Sequence, residues 1–150
     1  MEKEQIDACV ILELAIQAKP DKEQRKSIEL CRKYLHHVSK YGNASISLPA
    51  LGEIWGALLR KVEDSLKREH YFSVITDIIE QNALVISSPT RETYAIADSI
   101  VKFDTRIDPA DALRIAETVT EEAIFITLDK KLIENTLLQE KLNVRIKPPY

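Results

Sequence analysis

Apolar residues along the chain follow two rhythms. Short apolar runs suited to strands buried on both faces fall at residues 3–6, 44–48, 83–88, 123–128 and 144–146. Between them, apolar side chains recur every three or four positions, as on one face of a helix. Cys9, Leu12 and Ile16 open the series, followed by Ile28, Cys31, Leu35 and Val38 within 22–39. After Pro49 the helical stripe takes in Leu51, Ile54, Trp55, Leu58, Leu59, Val62 and Leu66, all expected to be buried. Phe72, Ile75, Ile78 and Ile79 mark a helix over 71–81, and Tyr94, Ala97 and Val101 one over 91–102. Leu113, Ala116 and Val119, with Ala112 and Ile115, mark another after Pro109, and a last helix is predicted over 130–142.

The punctuation agrees with these elements. Asp7, Asp108 and Asp129 stand where N-caps belong, Pro49 and Pro109 fit first helical turns, and Gly42 and Asn43 suit the left-handed turn beyond a helix. Strands alternating with helices predict an α/β protein, a three-layer α/β/α sandwich around a mostly parallel five-stranded sheet.

Length narrows this to one domain, 1–150, with a core of ordinary size, since 45% of the 150 residues are apolar and no repeat or linker interrupts them. No apolar run would span a bilayer and no basic, apolar leader opens the chain, so membrane insertion and secretion are not expected. Cys9 and Cys31 lie in separate helical patterns and read as free thiols, which points to the cytoplasm. All three glycines fall between residues 42 and 56, and Gly52 and Gly56 flank Glu53 with a spacing that would admit another backbone.

Charge excludes little. A net −3 argues against binding nucleic acid by bulk charge, while Lys22, Arg25, Lys26, Arg32, Lys33 and Lys40 form one local basic patch and Arg60, Lys61, Lys67 and Arg68 a second. Both read first as solvated helix faces. Arg106, just ahead of Asp108, is placed to approach a carboxylate or a phosphate. His36 and His37 have no partner at ligand spacing and do not suggest a metal site.

The acids change the picture more. Asp7, Glu53, Asp111 and Asp129 each sit at or just after an expected strand-to-helix junction, hence on one edge of a parallel sheet, where open α/β folds hold their ligands. Helix capping explains each singly but not the gathering of all four. Converging carboxylates repel unless protonated or neutralised, and Mg2+ or Mn2+ is the natural partner of an all-oxygen site. Such a site suits phosphodiester hydrolysis. Phosphotransfer through an aspartate fits less well, because Asp7 is followed by Ala8 and Cys9 and no DxDx[TV] motif appears.

Four segments, IDACVIL around Asp7, LPALGEIWGAL around Glu53, DALRIAET around Asp111 and ITLDKKL around Thr127 and Asp129, give the chain a resemblance to PIN domains, most of all to the small VapC-type toxin ribonucleases of prokaryotes. The resemblance runs from the first strand to the last helix. It implies sheet order 3-2-1-4-5, an Mg2+- or Mn2+-dependent endoribonuclease acting on RNA, frequent homodimerisation, and a cognate antitoxin whose tail occupies the acidic groove. It assigns Asp7, Glu53, Asp111 and Asp129 as metal ligands and Thr127 as a hydroxyl that positions water or a carboxylate. Asp108 matches no family acid and is left as a cap. Cys9 stands where the family commonly has Asn or Ser, a weaker hydrogen-bonding group that affects the network behind the acids. The alternative is a catalytically weak or inactive PIN-like module that binds RNA or protein, favoured if the four acids are separated or tied up in salt bridges.

Overall fold

In the computed structural model, which describes residues 1–17 and 19–150, the five apolar runs become β1 (Glu4–Ile6), β2 (Ala44–Ser47), β3 (Val85–Ser87), β4 (Ile124–Ile126) and β5 (Arg145–Lys147). They form one sheet in the order β3-β2-β1-β4-β5. Every neighbouring pair is parallel, with Ile6 in register with Ile46 on one side and Ile126 on the other. The helices are α1 (Ala8–Ala15), α2 (Lys22–Tyr41), α3 (Leu48–Lys61), α4 (Ser65–Gln81), α5 (Arg91–Phe103), α6 (Pro109–Thr120), α7 (Lys130–Ile133) and α8 (Thr136–Leu142).

Alternation along the strands sorts the helices into two layers. Ile6, Ile46, Ile124 and Ile126 point to α1–α4 and pack with Val10, Ile11, Cys31, Leu35, Ile54 and Leu58. Phe125 and Ile146 point the other way, to Ile100, Ile115, Leu132 and Leu138 of α5–α8. The three-layer sandwich expected from the sequence is therefore present, with the expected strand order.

On the α5–α8 face the core is partly polar. The buried Gln5 donates to Glu117 Oε2 (2.8 Å) and to Ser87 (3.2 Å), and accepts from Thr118 (2.6 Å). On the opposite face Tyr34 donates to the buried Glu4.

Several expectations fail locally. Trp55, Leu59 and Leu66 were expected to be buried, but they are 45%, 47% and 74% exposed. The buried stripe of α3 is the narrower Ala50, Ile54, Ala57 and Leu58, and Leu66 belongs to α4, which Asp64 caps. Trp55 instead packs its ring on Phe72, 4.9 Å between centroids. The helix predicted over 130–142 breaks because Asn135 accepts a hydrogen bond from Leu138 N and starts α8 afresh. Gly52 meets nothing within 4 Å of where a Cβ would stand, and Gly56 meets only the tip of Arg60, so no second backbone approaches there. Among the described residues no helix is long and apolar enough to cross a membrane.

Candidate active site at the carboxyl edge of the sheet

Asp7 follows β1 directly and caps α1, its Oδ1 accepting from Ala8 N at 2.8 Å. Asp129 stands three residues beyond β4 and caps α7 through Lys131 N at 2.9 Å. Glu53 projects from the second turn of α3. Asp111 lies in the first turn of α6. That helix follows α5 rather than a strand, so Asp111 sits at a helix–helix junction and not at the strand-to-helix junction expected. It still reaches the edge, because α6 ends where β4 begins and must start at the opposite end of the sheet.

The centre of the site is a residue the sequence reading passed over. Arg114, one turn into α6 and 3% exposed at its side chain, reaches three of the four acids. Its Nε lies 2.9 Å from Asp7 Oδ1, an ion-pair contact too poorly aligned to be a hydrogen bond. Its Nη1 donates to Glu53 Oε2 and its Nη2 to Asp111 Oδ1. Asp129 has no ion pair with Arg114 but shares a cleft with the other three acids.

Thr127, fully buried, ties the parts together. Its hydroxyl donates to Asp7 Oδ2 at 2.7 Å and accepts from Asp129 N at 3.1 Å. Cys9 Sγ lies 3.2 Å from the same Asp7 oxygen and 3.4 Å from Thr127 Oγ1, and accepts from Leu128 N. Cys9 thus fills the hydrogen-bonding place behind Asp7 with a thiol, whose pKa burial and the Asp7 charge push up to about 12. Asp108 does what a cap does, accepting from Ala110 N. Arg106 pairs with Asp104 and not with the cluster.

One guanidinium does not neutralise these acids. Burial raises the Asp111 pKa to about 6, with Asp7 and Glu53 adding to the rise against the opposing pull of Arg114. Glu53 is raised as well, again chiefly by burial. Residual negative charge in a half-buried site favours a further cation, and the donor set, all carboxylate oxygens, is the kind that Mg2+ or Mn2+ takes. Asp7, Glu53, Asp111 and Asp129 therefore fit such an ion in chemistry. Arg114 is the obstacle: with its guanidinium between them, no three His, Cys, Asp or Glu side chains among the described residues stand together so as to hold a metal.

Two clefts, about 590 and 690 Å³, open on the cluster and share Asp111 and Asp129. Each is lined by five acids against two bases, with Lys61 and Arg114 in one and Arg106 and Lys131 in the other. A phosphate chain laid here needs added positive charge.

No family model matches the sequence, and a search of curated proteins finds no match. Solved structures resemble the fold over its whole length. A chain of FitAcB from Neisseria gonorrhoeae aligns with TM-score 0.65 at 17% identity, over 97% of each chain. A chain of VapBC2 from Rickettsia felis, bound to a DNA fragment from their promoter, aligns with TM-score 0.68 at 14% identity, again over 97% of each. A chain of DNA-bound VapBC from Salmonella typhimurium aligns with TM-score 0.65 at 18% identity over 100% of each. The chain has the PIN-like fold of these VapBC and FitAB structures.

Proposed function

We propose that the chain is a VapC-type toxin, an Mg2+- or Mn2+-dependent endoribonuclease of the cytoplasm that acts as a homodimer and is paired with a cognate antitoxin protein. The observation that carries this reading is the meeting of Asp7, Glu53 and Asp111, from three separate elements, around one point at the carboxyl edge of the sheet, with Asp129 in the same cleft. The fold shared with VapBC and FitAB toxin–antitoxin complexes supports it.

Asp7, Glu53, Asp111 and Asp129 would hold the cation. A bound divalent ion supplies polarisation of the scissile phosphoryl group and a lowered pKa for the attacking water. The chain's own residues do the positioning. Thr127 and Cys9 fix Asp7 from behind. Glu53, 39% exposed, is the acid most open to solvent among those on Arg114. Lys61 and Lys131 on the cleft walls would receive flanking phosphates.

The test is cleavage of tRNA and rRNA by the purified chain with and without Mn2+, beside Asp7→Asn. Cation-dependent cleavage by wild type that is lost in a variant still folded by circular dichroism supports the proposal, and equal cleavage by both proteins refutes it. One observation favours a second reading, a PIN-like module that binds RNA or protein without cutting: three of the four acids are already salt-bridged to Arg114. That reading expects RNA or protein binding by wild type and Asp7→Asn alike, with no cation-dependent cleavage.

A further inference from the structure

Asp7 is contacted on both oxygens. Oδ1 accepts from Ala8 N and forms an ion pair with Arg114 Nε, and Oδ2 accepts from Thr127 Oγ1 and Cys9 Sγ. A cation that ligates Oδ1 from the cleft has to take the place of Arg114 Nε, the one contact of the four that is not a hydrogen bond. Ala8 N is backbone, and Thr127 is fully buried behind the carboxylate. Cys9 and Arg114 both touch Asp7 and line the cleft. Cys9 holds only the Oδ2 side, whereas Arg114 stands between Asp7, Glu53 and Asp111, in the space an ion shared by the three would need. Its three nitrogens are fixed in one plane and each takes a different carboxylate, so the acids stand spread around a guanidinium instead of gathered around an ion.

We infer that Arg114 is the cluster's resident counter-ion, that a divalent cation binds only by displacing its guanidinium, and that Arg114 thereby sets the site's cation affinity. This rests on the metal-dependent reading above. The apparent Kd equals the intrinsic Kd divided by the fraction of molecules with Arg114 withdrawn, so a withdrawn fraction of about one in ten weakens binding roughly tenfold. Buried ion pairs with several partners keep such fractions small, since withdrawal strands three carboxylates together.

The experiment is Mn2+ binding to the full chain, read from the electron spin resonance of free Mn2+, for wild type, Arg114→Met and Asp129→Asn. Arg114→Met keeps an unbranched apolar stem and removes the charged guanidinium, and its Kd is expected to fall by roughly tenfold or more. Wild type provides a second readout that does not depend on the folding of Arg114→Met: the nitrogen-15 resonance of Arg114 Nε–H, assigned by its loss in Arg114→Lys, shifts on Mg2+ titration. Equal or weaker binding by Arg114→Met overturns the inference. An Nε–H resonance unmoved at saturating Mg2+ does the same. In both cases the metal-dependent reading stands, provided wild type binds Mn2+ and Asp129→Asn binds it more weakly. No binding by either wild type or Arg114→Met overturns both.

Discussion

Thr127 Oγ1 donates to Asp7 Oδ2 at 2.7 Å, a bond between the residue that follows β4 and the residue that follows β1. The two strands are neighbours in the sheet with Ile6 in register with Ile126, so the hydroxyl and the carboxylate are set side by side by strand pairing alone. The same oxygen of Thr127 accepts from Asp129 N. A single hydroxyl thus holds one acid of the cluster by its side chain and another by its backbone.

Thr127→Val keeps the shape of the side chain and removes both bonds. Asp7, 4% exposed, loses a donor it cannot replace with water, and the expected cost is about 1–3 kcal/mol of unfolding free energy. Thr127→Ser should recover most of it. Urea denaturation of the three proteins measures this, and a Val variant as stable as wild type would show that the bond holds nothing.

Both thiols should be inert in the native protein. Burial, with a nearby acid in each case, pushes Cys9 and Cys31 up to about 12, so almost no thiolate is present at neutral pH. An aromatic disulfide reagent at pH 8 should react with neither thiol until denaturant is added, and with both afterwards. Fast reaction of one thiol in the folded chain would contradict the placement of Cys9 against Asp7.

Three of the acids were legible because each stands at a helix start: Asp7 and Asp129 cap helices that follow strands, and Asp111 lies in the first turn of α6. Glu53, one turn inside α3, showed only as an acid among apolar neighbours, and the strand expected just before Asp111 is the helix α5. Arg114 was not legible. With Asp111 three residues before it, it reads as an ordinary surface pair, and nothing in the period of α6 marks it as buried. The helix lies between α5 and the sheet, so nearly its whole circumference is covered, and Arg114, Glu117 and Thr118 are buried beside Ala112 and Ile115. Only that depth in the sandwich distinguishes them. Trp55 and Leu66 are the converse, apolar residues on helical spacing that the layers do not reach.

Stability without cation should fall as pH rises from about 4 to about 6. The folded-state pKa of Asp111 is raised from 3.8 to about 6, so in that window the folded chain binds more protons than the unfolded one, and deprotonation favours unfolding. Glu53 and Glu117 are raised as well and act in the same direction. Cation binding has the opposite slope, because the ligand must lose its proton: affinity for Mn2+ should climb towards pH 6 and then level. Melting temperatures and Mn2+ titrations across pH 4–8 check both slopes, and a metal-free melting temperature that rises over this window would refute the assignment.

Glu117 offers a cleaner probe of buried charge, since its side chain is hydrogen-bonded to Gln5 and forms no ion pair with Arg114 among the described residues. It is 1% exposed, its Oε2 accepts from Gln5 and its Oε1 has no partner. Glu117→Gln removes the charge while leaving an acceptor for Gln5. At pH 8 it should be as stable as wild type or up to about 1 kcal/mol more stable, whereas Glu117→Ala should lose stability through the cavity and the orphaned amide of Gln5. Chemical denaturation separates the cases, and a Gln variant clearly weaker than wild type at pH 8 would mean that the charge itself is needed.

Asp129 separates cation binding from folding more sharply than any other acid of the four. Asp7, Glu53 and Asp111 all contact Arg114, so neutralising any of them disturbs a buried ion cluster, and lost activity there could follow from lost structure. Asp129 has no such tie, and its Oδ1 serves only to cap the short helix α7 through Lys131 N. Asparagine caps helices as well as aspartate does. Asp129→Asn should therefore unfold within about 0.5 kcal/mol of wild type yet bind Mn2+ more weakly, roughly tenfold or more if the carboxylate is a direct ligand. RNA cleavage should fall with it. Binding at wild-type strength in a variant of unchanged stability would remove Asp129 from the ligand set and leave the cluster on Arg114 as a structural ion network.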